Sequence, residues 1–213
     1  DSTMQTTDRH TEDTETKILK AAEREFLERG YGGARTTSIA EAAGVTHAML
    51  HYYFRTKDKL FERIVTEKMG LLSEIMLSAI EESDLPLPDK IRQGVERHFD
   101  FLTANPDLPR FIVNEIYSRP ERIKLMTGEL QPTATRVLHN LQTEIDRCAA
   151  QGLCRRVDAR MLLVDIVSLN VFLFIATPIL QGALGGLFGS REEFFRMRRE
   201  ENVRTILTKL GIE

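Results

Sequence analysis

Two histidines, His47 and His51, stand four positions apart in the segment HAMLHYYF at residues 47–54. On a helix this spacing places both imidazoles on one face, where they could share a metal ion or contact a nucleic acid. A zinc site needs more ligands than two, and the segment offers neither a Glu at the second position nor a third ligand nearby. We therefore predict no metal site here and favour nucleic-acid contact.

The other reactive side chains give little support for a catalytic or redox site. Cys148 and Cys154 could form a redox pair, although one buried and one exposed thiol is the simpler interpretation. The sequence has no Gly-rich phosphate loop, no nucleophile elbow and no paired carboxylates in a plausible cleft. We predict neither a catalytic site nor a cofactor.

Charge balance limits the classes of partner. The 213 residues include 29 Lys and Arg against 32 Asp and Glu, a net charge of −3. This excludes a protein that coats polyanions by bulk charge, but it allows a local basic patch. Residues 35–59 carry four basic and two acidic side chains, a local charge of +2 that is opposite in sign to that of the chain.

The apolar pattern is helical along the chain, with no alternating strand pattern, and predicts an all-α protein of about nine helices. Residues 1–13 are polar and predict a disordered arm. The segment EESDLPLPD at 81–89 is the best internal boundary in composition. We assign 14–60 to a helix-turn-helix domain and 61–213 to a helical ligand-binding and dimerisation domain.

Residues 36–54 have the features of a helix-turn-helix. Gly44 lets the chain turn, Thr46 caps the second helix, and Leu50 and Phe54 anchor that helix to the core. The outward face then offers hydrogen-bond donors, a methyl group and an aromatic ring, which suit base edges and phosphates. Its residues are His47, Ala48, His51 and Tyr52.

At this point the sequence resembles a known family. Residues 17–65 resemble the DNA-binding domain of the TetR family of bacterial transcriptional repressors, through AA…F…GY, IAEAAGV and LHYYFRTKDKL. The resemblance implies a homodimer that places two recognition helices in successive major grooves of a palindrome. By the same resemblance, Thr46, His47 and Tyr52 match positions that face DNA, and Tyr53 and Lys57 match positions that hold phosphates.

The sequence departs from the family pattern at two positions. Ala34 stands where a Thr or Ser often caps the second helix, so we expect the cap at Thr36 or Thr37. His51 stands where a Tyr commonly contacts phosphate. The predicted DNA-binding set also includes the residues at the start of the second helix, namely Arg35, Thr36 and Thr37.

Residues 161–180 are apolar nearly all round, yet they include Asp165, Asn170 and Pro178. A central Asp costs on the order of 3 kcal/mol in membrane insertion, so we predict a helix buried by protein on most sides and no membrane partner. Paired with the last helix and a second copy, it predicts a four-helix bundle that joins a homodimer. The predicted interface residues are Leu169, Phe172, Val203, Ile206 and Leu210.

Polar residues at inward or near-inward positions among large apolar ones predict a site for a small, mostly apolar effector. A buried polar group must face a partner, water or a cavity, and interhelical hydrogen bonds with no pocket are the alternative. The predicted effector-binding residues are His98, Phe99, Phe111, Asn114, Glu115, Tyr117, Asn170 and Phe174.

Together these features predict a cytoplasmic, ligand-responsive transcriptional repressor. It would bind a palindromic duplex DNA operator as a homodimer and leave it when the effector binds. The first 16 residues lack the apolar segment of a signal peptide, which favours the cytoplasm. The alternative is a helical small-molecule-binding protein or enzyme without sequence-specific DNA binding.

Overall fold

A computed structural model describes residues 2–81, 84–184 and 189–212. Over these ranges the chain forms nine α-helices and one 3₁₀ turn, with no strand, which confirms the predicted all-α class. The helices are α1 (Ser2–Gly33), α2 (Thr36–Ala43), α3 (His47–Phe54), α4 (Lys57–Glu81), α5 (Leu87–Ala104), α6 (Leu108–Ser118), α7 (Ile123–Ala150), α8 (Ala159–Leu184) and α9 (Arg191–Lys209). The 3₁₀ turn is Pro120–Arg122.

Helix α1 extends back to Ser2, across residues for which the sequence predicts a disordered arm. This difference has a simple physical source, because adding residues to an existing helix requires no new nucleus. Toward the other end of α1, Gly30 interrupts the helical backbone, with φ 65° and ψ 171°.

The described chain forms two compact units. The first contains residues up to Lys68 together with Phe111–Met126, and the second contains Met69–Arg110 and the residues from Thr127 onward. The unit that holds the helix-turn-helix therefore includes a distant segment as well as the start of α4. The functional boundary predicted after residue 60 stays a prediction.

Aromatic side chains form the core of the first unit. The ring of Phe61 meets Phe26 edge-on at a centroid distance of 5.4 Å and lies 5.7 Å from Phe111. Because Phe26 is on α1, Phe61 on α4 and Phe111 on α6, this cluster joins three helices. Burial of such large rings is among the strongest contributions a small core can have.

The second unit is built on α5, α7, α8 and α9, whose inward faces share one apolar core. The fully buried side chains at its centre are Val95, Ile145, Leu162 and Leu210. Helix α8 is less buried than the sequence predicts. Its apolar side chains remain exposed along one face, at Met161, Val164, Val167, Phe172, Ile175 and Ile179.

Candidate DNA-binding interface

The turn between α2 and α3 depends on a left-handed glycine. Gly44 has φ 69° and ψ 29°, a conformation that side chains with a Cβ rarely adopt. Its N–H donates to the carbonyl oxygen of Glu41, and the N–H of Val45 donates to that of Ala40, both at 3.0 Å. These bonds close the end of α2. The predicted turn is confirmed in its local geometry.

Thr46 caps α3, as predicted. Its Oγ1 accepts a hydrogen bond from the N–H of Met49 at 3.2 Å, which satisfies one of the free donors at the helix start. On the inner side of the same helix, Leu50 and Phe54 are buried. The short helix is therefore fixed both by its cap and by two anchors in the core.

The predicted cap of α2 by Thr36 or Thr37 is wrong. The helix already begins at Thr36, so Arg35 occupies the capping position, and no side chain caps it there. The N–H of Arg35 instead donates to Glu25 Oε1 of α1 at 3.2 Å. Thr36 Oγ1 lies 3.0 Å from Nε2 of His47, so this residue ties α2 to the start of α3.

The predicted outward face of α3 is exposed to solvent. His47, Ala48 and His51 are exposed, and Tyr52 has 73% of its surface accessible. Tyr53 is half-buried, and its ring lies edge-on to that of Tyr52 at 5.5 Å. Their contact with DNA stays a prediction, but the face needed for it is accessible.

The chain leaves α3 through a strained turn. Arg55 has φ 57° and ψ −52°, and the N–H of Thr56 donates to the carbonyl oxygen of Phe54 at 2.5 Å. This is a γ-turn with positive φ, which is rare for a residue with a side chain. Nδ1 of His51, in the last turn of α3, lies 2.8 Å from the carbonyl oxygen of Arg55. This contact ties the γ-turn to the helix.

The two recognition-helix histidines contact each other directly. Their rings meet edge-to-face at a centroid distance of 4.5 Å. His47 is bound to Thr36 and His51 to the carbonyl group of Arg55. Over the described chain, no group of three or more His, Cys, Asp and Glu side chains is arranged to hold a metal ion.

Lys57 begins α4 and reaches back to the end of α1. Its ammonium group donates to the carbonyl oxygens of Tyr31 at 2.8 Å and Ala34 at 2.9 Å, and lies 4.3 Å from the centre of the Tyr31 ring. An ammonium group has three donors. One therefore remains for the predicted phosphate contact, while the other two hold the helix end.

A charge cluster that the sequence analysis missed lies in the same unit. The guanidinium group of Arg122 donates to Glu115 at 3.1 Å and to Asp58 at 2.9 Å, and it stacks 3.6 Å above the ring of Tyr31. The other oxygen of Glu115 accepts the N–H of Tyr31 at 3.0 Å. Burial, followed by the hydrogen bond to Asp58, raises the pKa of Tyr31.

The structure does not bring all predicted effector-binding residues together. Phe111 and Glu115 belong to the unit of the helix-turn-helix, where the carboxylate of Glu115 is already bound at both oxygens. The predicted inward positions of Asn114 and Tyr117 are wrong, since Asn114 is exposed and Tyr117 is 83% exposed. Leu108, Phe111 and Glu115 form the buried face of α6, so positions 114 and 117 lie outside it.

The other four predicted effector-binding residues do converge, in the second unit. Asn170 is fully buried, and its amide nitrogen donates to the carbonyl oxygen of Val95 at 3.0 Å and to Nδ1 of His98 at 3.1 Å. Asn202, which the sequence analysis missed, donates to Asn170 Oδ1 at 2.8 Å. Because Nδ1 of His98 accepts a hydrogen bond, the ring is neutral, and burial lowers its pKa to about 4.

An aromatic cluster adjoins this polar network. Phe99 and Phe174 have ring centres 5.7 Å apart, and Phe195 meets Phe174 at 5.3 Å. Asn202 Oδ1 is buried with no hydrogen-bond partner among the described residues. Apolar rings beside a few convergent polar groups are the usual composition of a small-molecule site.

Three of the five residues predicted to form the dimer interface are not available to a partner. Val203, Ile206 and Leu210 are buried in the core of their own chain. Leu169 is half-buried and packs against the same core. Phe172, at 64% exposed, lies in the apolar stripe of α8 and is the one member of the set open to a partner.

The two cysteines are free thiols, and both are half-buried, so the expected split into one buried and one exposed thiol is wrong. Burial, with a hydrogen bond to Cys148, raises the pKa of Cys154 to about 12.

By length and composition, α8 is the one helix of the described chain that could cross a membrane. Core helices of soluble proteins pass the same test.

A capped, exposed helix after a glycine turn, in a chain that continues as a helical unit, places the protein in the helix-turn-helix class. The chain belongs to the TetR family of bacterial regulatory proteins. Its N-terminal domain matches over residues 18–64, and a tetracycline-repressor-like C-terminal domain matches over residues 88–206. Members of this family are transcriptional regulators, not enzymes.

Curated relatives and solved structures agree with this assignment. The transcriptional repressor BepR of Brucella suis is 38% identical over 135 residues, 63% of this chain and 62% of that protein. The chain spans about half the length of other curated relatives it matches, such as YdgC of Bacillus subtilis.

Two solved structures share the fold over most of their length. A TetR-family regulatory protein of Rhodococcus RHA1 superposes with a TM-score of 0.70 at 20% identity, covering 94% of this chain and 98% of that one. The Bacillus subtilis regulator FadR, in complex with stearoyl-CoA, gives 0.64 at 18% identity, covering 92% and 98%.

Proposed function

We propose that the chain is a cytoplasmic, ligand-responsive repressor that binds a palindromic DNA operator as a homodimer. The observation that carries the proposal is the exposed outward face of α3, held by the cap at Thr46 and by the bond between Thr36 and His47. A rigid helix with an accessible polar face is what major-groove contact requires. The proposed DNA-binding residues are Arg35, Thr36, Thr37, Thr46, His47, Ala48, His51, Tyr52, Tyr53 and Lys57.

The proposed contacts fall into two groups. His47, Ala48 and Tyr52 face outward along α3 and would meet base edges. Lys57 and Tyr53 lie toward the end of α3 and the start of α4, where they would bind phosphates and set the register of the helix. The basic window around them supplies the local positive charge that attracts a duplex.

The apolar stripe of α8 supports the proposed dimer. Its exposed members lie three to five residues apart from Met161 to Ile179, at spacings that keep them on one helix face. Large exposed apolar patches are rare in monomers. Pairing two such faces about a twofold axis would set the recognition helices about one DNA turn, roughly 34 Å, apart.

The second unit supports the proposed effector site. Phe99 and Phe174 would contact an apolar body, while His98 and Asn202 offer uncharged hydrogen-bonding groups. The relative FadR was solved with stearoyl-CoA, a ligand with a long apolar chain. Effector binding would favour a state in which α4 moves the recognition helices out of register, and a tenfold loss of DNA affinity needs only about 1.4 kcal/mol of coupling.

Selection of bound sequences from random and genomic DNA by the purified protein tests the proposal. We expect recovery of a palindrome, with affinity that falls steeply as salt rises. His47→Ala should change the preferred base at one position of each half-site. If no duplex is preferred over a scrambled competitor at any salt concentration, the proposed function is wrong, and the enzyme or small-molecule-binding alternative gains support.

A further inference from the structure

The two ring nitrogens of His51 have different surroundings. Nδ1 lies 2.8 Å from the carbonyl oxygen of Arg55. A carbonyl oxygen only accepts hydrogen bonds, so Nδ1 is the donor and keeps its proton. Nε2 is the ring nitrogen farther from the backbone, on a side chain that is exposed. In the neutral ring this nitrogen is an acceptor, and it becomes a donor only when the ring is protonated.

A DNA phosphate offers only acceptor oxygens and negative charge. A neutral His51 held in this way would turn a lone pair toward them, whereas the protonated ring would donate a charge-assisted hydrogen bond. We infer that His51 binds a DNA phosphate as the imidazolium ion, so that each protomer takes up a proton when it binds its operator. This inference rests on the proposed DNA-binding function of α3.

The charged groups at the start of α4 are bound to other partners. On α4, Lys57 is held by the carbonyl oxygens of Tyr31 and Ala34, and Asp58 by Arg122 and the hydroxyl group of Tyr31. Lys59, next along the same helix, is paired with Glu62. None of these bonds involves the imidazole of His51.

Helix α2 and the end of α1 complete the surroundings. Arg35 is anchored through its backbone to Glu25 of α1, and Glu41 lies at the far end of α2 beside Gly44. Over the described contacts, no carboxylate therefore pairs with His51. A bound phosphate would itself supply the negative charge that favours the imidazolium ion.

His47 limits how many protons are taken up. Its ring contacts that of His51 at a centroid distance of 4.5 Å. Two positive charges at this separation would repel each other. We expect an uptake of about one proton per protomer instead of two.

Protonation leaves the strained turn at Arg55 unchanged. Nδ1 carries its proton in both states, so its hydrogen bond to the carbonyl oxygen of Arg55 persists. The charge on His51 changes with pH, whereas its support of the turn does not. Substitutions can therefore separate the two roles.

The test measures binding of a fluorescein-labelled duplex of the selected palindrome by anisotropy, between pH 6 and 8 at constant ionic strength. At pH values at which the His51 ring is neutral in the DNA-free protein, the wild type should lose DNA affinity as pH rises. The expected loss is about tenfold per pH unit for each proton taken up. Calorimetry in phosphate and in Tris, which differ in ionisation enthalpy, measures the proton uptake directly.

Three variants assign the effect. His51→Asn keeps an N–H donor for the Arg55 carbonyl group but cannot be charged. His51→Tyr offers the phosphate an uncharged hydroxyl group in place of the imidazole. Both should bind with a flat pH profile, and melting temperatures near that of the wild type would show that they are folded. His47→Gln should bind more weakly, because it loses a proposed base contact, but it should retain the pH slope.

A flat wild-type profile, a slope retained in His51→Asn, or a slope lost in His47→Gln would each overturn the inference. These outcomes differ from failure of the proposed function. If the proposed function is wrong, no duplex would be preferred over a scrambled one even at pH 6, and the inference about His51 would also be wrong.

Discussion

The guanidinium group of Arg122 lies 3.6 Å above the ring of Tyr31 and joins the 3₁₀ turn to the end of α1. It also binds the carboxylate of Glu115, which is 5% exposed. A buried charge is tolerated only when it is paired and hydrogen-bonded. Arg122 is therefore the residue on which the charge balance inside this unit depends.

Replacing Arg122 by Met should destabilise the protein by about 3 kcal/mol or more, since it leaves Glu115 buried and unpaired. Urea unfolding followed by circular dichroism measures the change. The double substitution with Glu115→Gln should recover part of it. Arg63→Ala is the control, because its half-exposed pair with Glu15, at 4.0 Å, should contribute less than about 1 kcal/mol. Equal losses in Arg122→Met and the control would contradict the assigned role.

Lys57→Ala should weaken binding to every DNA sequence and reduce the slope of affinity against salt by about one. It should also lower the melting temperature, since two carbonyl groups at the end of α1 lose their donor. Lys59→Ala, which removes an exposed lysine on the same helix, is the matched control. A lower melting temperature with an unchanged salt slope would mean that Lys57 only holds the helix end.

Local features of the fold could be predicted from the sequence because they depend on neighbouring residues. Gly44 and Thr46 act within a few positions of themselves, and their predicted roles are confirmed. The cluster around Arg122 could not be found in this way, since its bonds reach Asp58 across 64 positions. Nothing in the helical periodicity of either segment indicates such a partner.

The predicted dimer residues show a second limit. Helical spacing indicates which side chains share a face, but it does not tell what covers that face. Val203, Ile206 and Leu210 do share a face, and it is covered by the chain's own core. The converging pair His98 and Asn170 was predictable as two polar residues inside apolar stripes, whereas their bond required the packing of α5 against α8.

His98 should make stability depend on pH. Its pKa is lowered to about 4 in the folded protein by burial, against about 6.5 in the unfolded chain. The unfolded state therefore binds the proton first, and stability should fall as pH drops from 6.5 toward 4, by up to roughly 3 kcal/mol. In His98→Asn, whose Oδ1 can still accept from Asn170, urea unfolding at pH 7 and pH 5 should show a smaller loss than in the wild type. Equal losses in the two proteins would mean that other groups cause the dependence.

Phe172→Glu should convert the proposed homodimer into a monomer. The side chain is 64% exposed in one chain and lies in the apolar stripe of α8, where a charge would have to be desolvated on pairing. Leu153→Glu is the matched control, because Leu153 is 67% exposed but lies in the turn after α7, outside that stripe. Sedimentation velocity at micromolar concentration should give a dimer mass for the wild type and the control, and a monomer mass for Phe172→Glu. Since two half-sites need two joined recognition helices, this variant should also lose affinity for the palindrome while keeping its melting temperature near that of a folded monomer. A dimer mass for Phe172→Glu would exclude this face as the interface.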